Sequence, residues 1–171
     1  MNWLMVTLRF VHVVSGALWV GMMAFTVVFL TPALRDVGPE GGKVMAALQR
    51  RRLMIVVPIL ALLTLISGMW LFSRFAGAAG MAIARTPVGL AFALGGASAL
   101  IAFLLGIVLM RPVMTRSVAL AETMGSARTE QERAARMAEM QRLRARGAAV
   151  GWVVTLLLFL ALGAMAVARY L

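Results

Sequence analysis

One histidine, His12, and no cysteine are the facts that bear first on chemistry in this 171-residue chain. Without cysteine there are no disulfides, thiolate metal sites or thiol nucleophiles, so any redox chemistry needs a cofactor. His12 falls about three turns inside a long apolar stretch that opens the sequence. An ionisable group at membrane depth is costly and reads first as a site, and a neutral imidazole is the least costly of such groups. Arg9, His12, Gly16, Trp19 and Met23 recur at steps of three or four, which makes one polar and aromatic helical stripe with a glycine beneath the imidazole. A flat ligand could approach there. Neutral imidazole is a standard axial ligand for haem iron and a guanidinium can pair with propionates. The candidate cofactor is therefore b-type haem, with His12 as ligand and Arg9, Gly16, Trp19 and Arg169 around it. The plain alternative is a histidine hydrogen-bonded to a neighbouring helix, with Arg9 snorkelling to the headgroups.

A single histidine cannot fill both axial positions, which leaves a methionine, the His12 of a second copy, or a five-coordinate iron. Met165 and Met69 share the expected depth of His12 and are the candidate second ligands. Met23, on the same helix, is about 16 Å away and too far. Thioether sulfur also suits Cu(I), so copper transport or resistance is an alternative. The methionines form no Met-x-x-x-Met path through a span, which ranks copper below haem. The six acids, Asp36, Glu40, Glu122, Glu130, Glu132 and Glu139, all fall between the apolar runs. Proton-coupled transport through an intramembrane carboxylate is therefore not expected.

The elements that must hold these residues are membrane helices. Hydrophobic residues are 63% of the chain and mean hydropathy is +0.95, against roughly 45 to 50% apolar content in a soluble domain. Four stretches, approximately 3–30, 53–73, 87–110 and 147–169, reach the roughly 20 residues that cross a bilayer core. Backbone polar groups in hydrocarbon must pair internally, and these runs lack the alternation of barrel strands, so they read as helices. The expected fold is all-α and integral to the membrane: a four-transmembrane-helix bundle forming one domain over 1–171. The first stretch is too long for a signal-peptide core and is expected to remain as a span. Thirteen of the seventeen Lys and Arg residues lie in segments 31–52 and 111–146. The positive-inside rule places both segments in the cytoplasm and both termini on the outer side of a bacterial-type inner membrane. Anionic lipids explain the net charge of +11 without nucleic acid, for which no recognition motif is present.

Thr129 and Glu132 have the spacing of a capping box, and Glu132 stands four residues before Arg136 as a supporting pair. A helix starting there meets no proline and runs into the fourth span as a rod of about 60 Å. Gly125 and Ser126 turn the chain back, and Pro112 is expected to kink or restart the helix after span three, giving a cytoplasmic helical hairpin over about 112–146. Gly38, Pro39, Glu40, Gly41 and Gly42 break the chain, after which Lys43 to Arg52 leads as a helix into span two. Helical cytoplasmic extensions are thus expected on spans 2, 3 and 4. Pro58 is expected to kink span two. Gly95, Ala99, Ala102 and Gly106 form a small-residue stripe on span three, suited to close packing within the monomer or a dimer.

The run Leu8, Arg9, Phe10, Val11, His12 through Trp19, Val20 and Gly21 resembles the first helix of the copper-resistance D-like (CopD-like) membrane proteins, a superfamily taken to include the HemJ-type protoporphyrinogen oxidases. Pro39 to Gly41, Arg50 to Leu53, Pro58 and Ser67 to Leu71 resemble its second helix and approach, and Met165 to Leu171 resembles the ending of a small uncharacterised branch. The resemblance implies a first-helix histidine at a porphyrin site, which His12 matches. HemJ-type enzymes also carry a third-helix lysine, and span three here has no Lys or His. That departure stands against protoporphyrinogen oxidation and leaves a b-type haem pocket under His12 open.

The expected function is an inner-membrane b-type haem-binding protein in electron transfer or haem handling, with a membrane oxidoreductase the enzyme class left open. A non-catalytic accessory or scaffold subunit of a larger membrane complex is the alternative from another class, packing through the span-three stripe and the hairpin. Membrane lipids, a second copy or a larger complex are the expected partners.

Overall fold

The computed structural model describes residues 2–38 and 40–171; Pro39, part of the expected break, lies outside them. Among the described residues the chain is helical with no strand. Helix α1 (Trp3–Phe25) begins at Asn2, whose side chain accepts from the Met5 N–H, and continues through a π-helical turn (Thr26–Leu30) into α2 (Thr31–Asp36). Next come α3 (Glu40–Arg50) and α4 (Leu53–Ala76), followed by a 3-10 segment (Gly77–Arg85). Helix α5 (Pro87–Leu105) is capped by the Thr86 hydroxyl and passes through a second π turn (Gly106–Met110) into α6 (Arg111–Thr123). Helix α7 (Glu130–Val167) closes the bundle. Four continuous helical stretches, Trp3–Asp36, Leu53–Ala76, Pro87–Ser126 and Glu130–Tyr170, are long and apolar enough to cross a membrane.

The helices form two pairs, α1 along α4 and α5 along α7, with α6 folded back on the first half of α7. What lies between them is small. Ala61, Ala99, Ala102 and Ala161 are buried together with Ser15, Thr64, Ser67, Ser98 and Thr155, and Trp19 and Leu158 are the large residues among them. Large apolar side chains face outward instead, among them Phe10 and Val13 on α1, Ile59 and Ile66 on α4, Leu94 and Leu104 on α5, and Leu156 and Phe159 on α7. The small-residue stripe of α5 is used within the monomer: a Cβ on Gly95 would meet the Ala161 carbonyl oxygen of α7 at 3.2 Å. Close backbone approach of this kind gains dispersion contacts that larger residues would prevent.

Both π turns sit just before a proline. Pro32 and Pro112 lack an N–H, and their rings exclude the carbonyl four residues earlier. The wider turn takes up this defect: Thr31 N–H bonds Thr26 O, and Arg111 N–H bonds Gly106 O, each five residues back. The restart expected at Pro112 is therefore a π turn inside one continuous helix, and span one carries the same device, so it too extends. Helix α4 runs through Pro58 near its own start. The lead into span two is broken, contrary to the expected continuous helix, because Arg52 adopts φ 61° and ψ 25°. A left-handed residue without glycine costs about 1–2 kcal/mol.

The long helix from 130 onward forms as expected, and so does its cap. Glu132 N–H bonds Thr129 Oγ1 at 3.1 Å, and Arg128 N–H bonds Glu132 Oε2 at 2.8 Å. Glu132 is thereby occupied, and Arg136 donates elsewhere, to the Thr123 carbonyl and to Ser126 Oγ. The expected pair is replaced by a cation capping the end of α6 and closing the hairpin.

Gly151 of α7 faces both π turns: a Cβ there would lie 3.1 Å from Val27 Cγ2 and 3.3 Å from Met110 Cε. The Met110 methyl is a flexible end that can swing aside, whereas the β-branched and buried Val27 has little freedom to do so, and a group larger than a methyl meets both. Gly151→Leu is expected to cost about 1–3 kcal/mol and lower the thermal unfolding midpoint in mild detergent. Gly163→Leu, where nothing lies within 4 Å of the Cβ, leaves it unchanged.

Candidate functional site

The α1–α4 seam carries a row of hydroxyl groups and one imidazole. Ser15 Oγ lies 2.6 Å from the Val11 carbonyl of its own helix and 2.9 Å from Thr64 Oγ1 across the seam. Thr64 Oγ1 is in turn 2.8 Å from the Leu60 carbonyl. Each hydroxyl has one proton, so one of the two donates across the seam while the other donates back to its own helix. One turn nearer the chain termini, His12 Nδ1 lies 2.8 Å from the Thr64 carbonyl oxygen. A carbonyl only accepts, so in the neutral ring Nδ1 carries the proton. Ser67 Oγ donates to the Leu63 carbonyl and, 3.4 Å from Nδ1, offers that N–H a second acceptor.

Nε2 is left with its lone pair and no hydrogen-bond partner among the described residues, on a ring that is half-buried. No buried side-chain nitrogen or oxygen among those residues lacks a partner, so Nε2 reaches the surface of the seam. The ring rests on Gly68 of α4, where a Cβ would lie 2.7 Å from Cε1 and 3.0 Å from Nδ1. Only glycine admits the imidazole at that position. The glycine beneath His12 is thus Gly68, whereas Gly16 faces the Thr64 methyl at 3.3 Å.

The other expected site residues are spread out. Arg9 stands exposed one turn nearer the N-terminus. Trp19 is 3% exposed and belongs to the core with Ala61, Ala99 and Val154, and Met23 packs beside it. Arg169 sits in the last helical turn, 4.5 Å over the Tyr170 ring, and donates to its hydroxyl. Val27 and Gly151 meet at the opposite end of the bundle. Counting from that contact, His12 and Met165 lie about 22 and 21 Å along their helices, at one level. Met165 nevertheless packs against Gly95 in the α5–α7 pair, and Met69, next to Gly68, is 72% exposed.

A bare metal ion needs three or four protein ligands, and no group of three or more His, Cys, Asp or Glu is assembled among the described residues. Haem differs, because the porphyrin brings four nitrogens and asks the protein for one. An Nε2 lone pair behind an Nδ1–H held by a backbone carbonyl is the donor chemistry that ligand requires. Two clefts, one lined by Arg35, Gln141, Arg144 and Ala145 and the other by Leu105, Leu109, Ala149, Val150 and Val153, lie at the end away from His12.

Comparison with protein-family models, with curated proteins and with solved structures finds no match. The likeness to the copper-resistance D-like proteins rests on its motif residues alone.

Sequence reasoning found His12 but not its partners Ser15, Thr64, Ser67 and Gly68. The available signal was the row Ala61, Thr64 and Gly68 at steps of three and four, which answers the row His12, Ser15 and Trp19 on α1. Since His12 is the sole histidine, its ring nitrogens are single resonances in protein labelled with 15N-histidine. Under conditions where the ring is neutral, the spectrum is expected to show Nδ1 protonated and Nε2 unprotonated. In Gly68→Val the added carbons displace the ring and the two shifts move toward tautomer averaging.

Proposed function

We propose that this chain is a multi-pass protein of a bacterial-type inner membrane, with both termini outside, that binds b-type haem through Nε2 of His12 and serves electron transfer or haem handling. Membrane residence is supported by the reversed burial pattern, with small and hydroxyl-bearing residues inside and Phe, Ile and Leu outside. Such a surface is suited to acyl chains and would associate in water. The asymmetry of Lys and Arg supports the orientation, with the hairpin and the α2–α3 segment in the cytoplasm.

The single observation that carries the haem reading is the division of labour within the imidazole. Nδ1–H is held by the Thr64 carbonyl, which fixes ring and tautomer, and Nε2 is open at the seam. Haem, when bound, supplies one-electron chemistry. His12 would hold the group through Nε2, and Arg9, on the side toward the proposed outer surface, would meet its carboxylates. Because the ring is half-buried on an outward-facing seam, the remaining wall of the pocket would come from a second copy or a larger complex, which is also where a second ligand would originate. The copper-resistance D-like resemblance agrees with this reading without deciding it.

A second reading, a non-catalytic accessory subunit, is favoured by one observation: both contacts of His12 Nδ1 tie α1 to α4, so the histidine also serves as a helix-pairing device. The two readings part on absorbance. Purified in mild detergent after expression with haem supplied, the wild type is expected to show a Soret band. His12→Ala is expected to lose it at equal helix content, since losing even a second-shell partner weakens a ligand site roughly 10–100-fold. A wild type without the band, in which His12→Ala only lowers thermal stability, sinks the haem reading and leaves the accessory one.

A further inference from the structure

The end of the bundle away from His12 holds a cleft that neither reading uses. It is a shallow, wide-open cleft between α2 and α7, of about 270 Å³, lined by the exposed Arg35, Gln141, Arg144 and Ala145. Its two cations come from separate parts of the chain and reach one level by the register of the helices. From the contact of Val27 with Gly151, Arg35 lies about 12 Å further along α1 and α2, and Arg144 about 10 Å back along α7. No carboxylate lines the cleft, and among the described residues neither arginine is in an ion pair; Lys43 with Glu40 and Arg133 with Glu130 are the pairs formed there. Arg35 and Arg144 line one cleft with no carboxylate beside them, so an anion held there would be within the reach of two guanidinium side chains. Guanidinium forks match the oxygens of a phosphate bidentately, and the Gln141 amide adds a neutral donor.

We propose that the Arg35–Gln141–Arg144 cleft is a binding site for an anionic phosphate group. Its level suits either a membrane source or a soluble one. In a bilayer about 40–45 Å thick overall, a position beyond the Val27–Gly151 contact falls in the headgroup zone or just outside it. An anionic phospholipid headgroup and a free phosphate compound present the same chemistry to the arginines. The site is independent of haem at His12, and its test has a separate readout.

The test uses the full chain in mild detergent at fixed ionic strength, titrated with dihexanoyl phosphatidic acid, with net-neutral dihexanoyl phosphatidylcholine, and with inorganic phosphate. Wild type is expected to prefer phosphatidic acid to phosphatidylcholine by about tenfold or more, as two arginines near a headgroup allow. The double variant Arg35→Gln/Arg144→Gln is expected to lose that preference. Arg116→Gln/Arg142→Gln removes the same charge from neighbouring cytoplasmic helices without touching the cleft, and is expected to keep it. Competition by inorganic phosphate identifies a soluble phosphate ligand, and its failure to compete identifies a lipid headgroup; both outcomes support the site. Equal loss in the two double variants, no loss in the first, or no preference in the wild type for either anionic probe overturns it. Should the first double variant lose helix content, Arg144→Gln alone carries the same comparison.

Discussion

Helices that turn their large apolar side chains outward must pair through something else, and the architecture follows from how this chain pairs them with small and hydroxyl-bearing residues. In lipid, association depends on close packing and on hydrogen bonds between helices. The buried set answers both needs. Alanine and glycine on α5 and α7 bring backbones together, and Ser15, Thr64, Ser67 and His12 place polar bonds across the α1–α4 seam. Leucine, isoleucine and phenylalanine are used outside, where a water-soluble bundle would place charge. The site is thus a product of the packing scheme: His12 lies where it does because α4 offers a glycine to receive the ring and a carbonyl to bond it.

The same economy of backbone groups explains the opposite end. A proline inside a helix removes a donor and excludes a carbonyl, and this chain meets the problem twice in the same way, with π turns before Pro32 and Pro112. Both turns bear on Gly151 of α7, through Val27 and Met110. The two helix pairs therefore share a plan: a first helix passing through a π turn and a proline, and a second helix packed antiparallel along it. Their lengths beyond that level differ. The α2–α3 segment is short and turns at Arg52, while α6 and α7 run on as a hairpin pinned by Arg136.

What could be read from the residues follows the strength of the local signal. Four apolar runs of helical length admit one backbone solution, so the helices and the 130–167 rod were legible, as was the Thr129 and Glu132 cap, a purely local device. The continuity through Pro112 was not, because a π turn depends on what the neighbouring helix allows. The break at Arg52 was hidden for a related reason: nothing in Arg50, Arg51 and Arg52 marks a left-handed residue, and tertiary direction imposes it. At the site, one rare residue in an apolar run made His12 conspicuous. Its partners are common small residues whose meaning depends on which helix faces which, so Gly16 stood out by sequence proximity while Gly68 does the receiving. Trp19 was grouped with His12 by periodicity alone, and a stripe wide enough to join them spans both the seam and the core.

The structural and the chemical readings of His12 are not rivals for the same atoms. A histidine used only to join two helices would donate Nδ1–H to a backbone carbonyl, and a histidine prepared as an axial ligand would make the identical bond to fix its tautomer. What separates them is the other nitrogen. Closing the seam over the ring would have taken one more hydroxyl or carbonyl within reach of Nε2, and this seam already carries three hydroxyls, all placed on the Nδ1 side or deeper. Nε2 has no hydrogen-bond partner among the described residues, and the exposed Arg9 stands one helical turn away, which is the geometry on which the proposed haem reading rests.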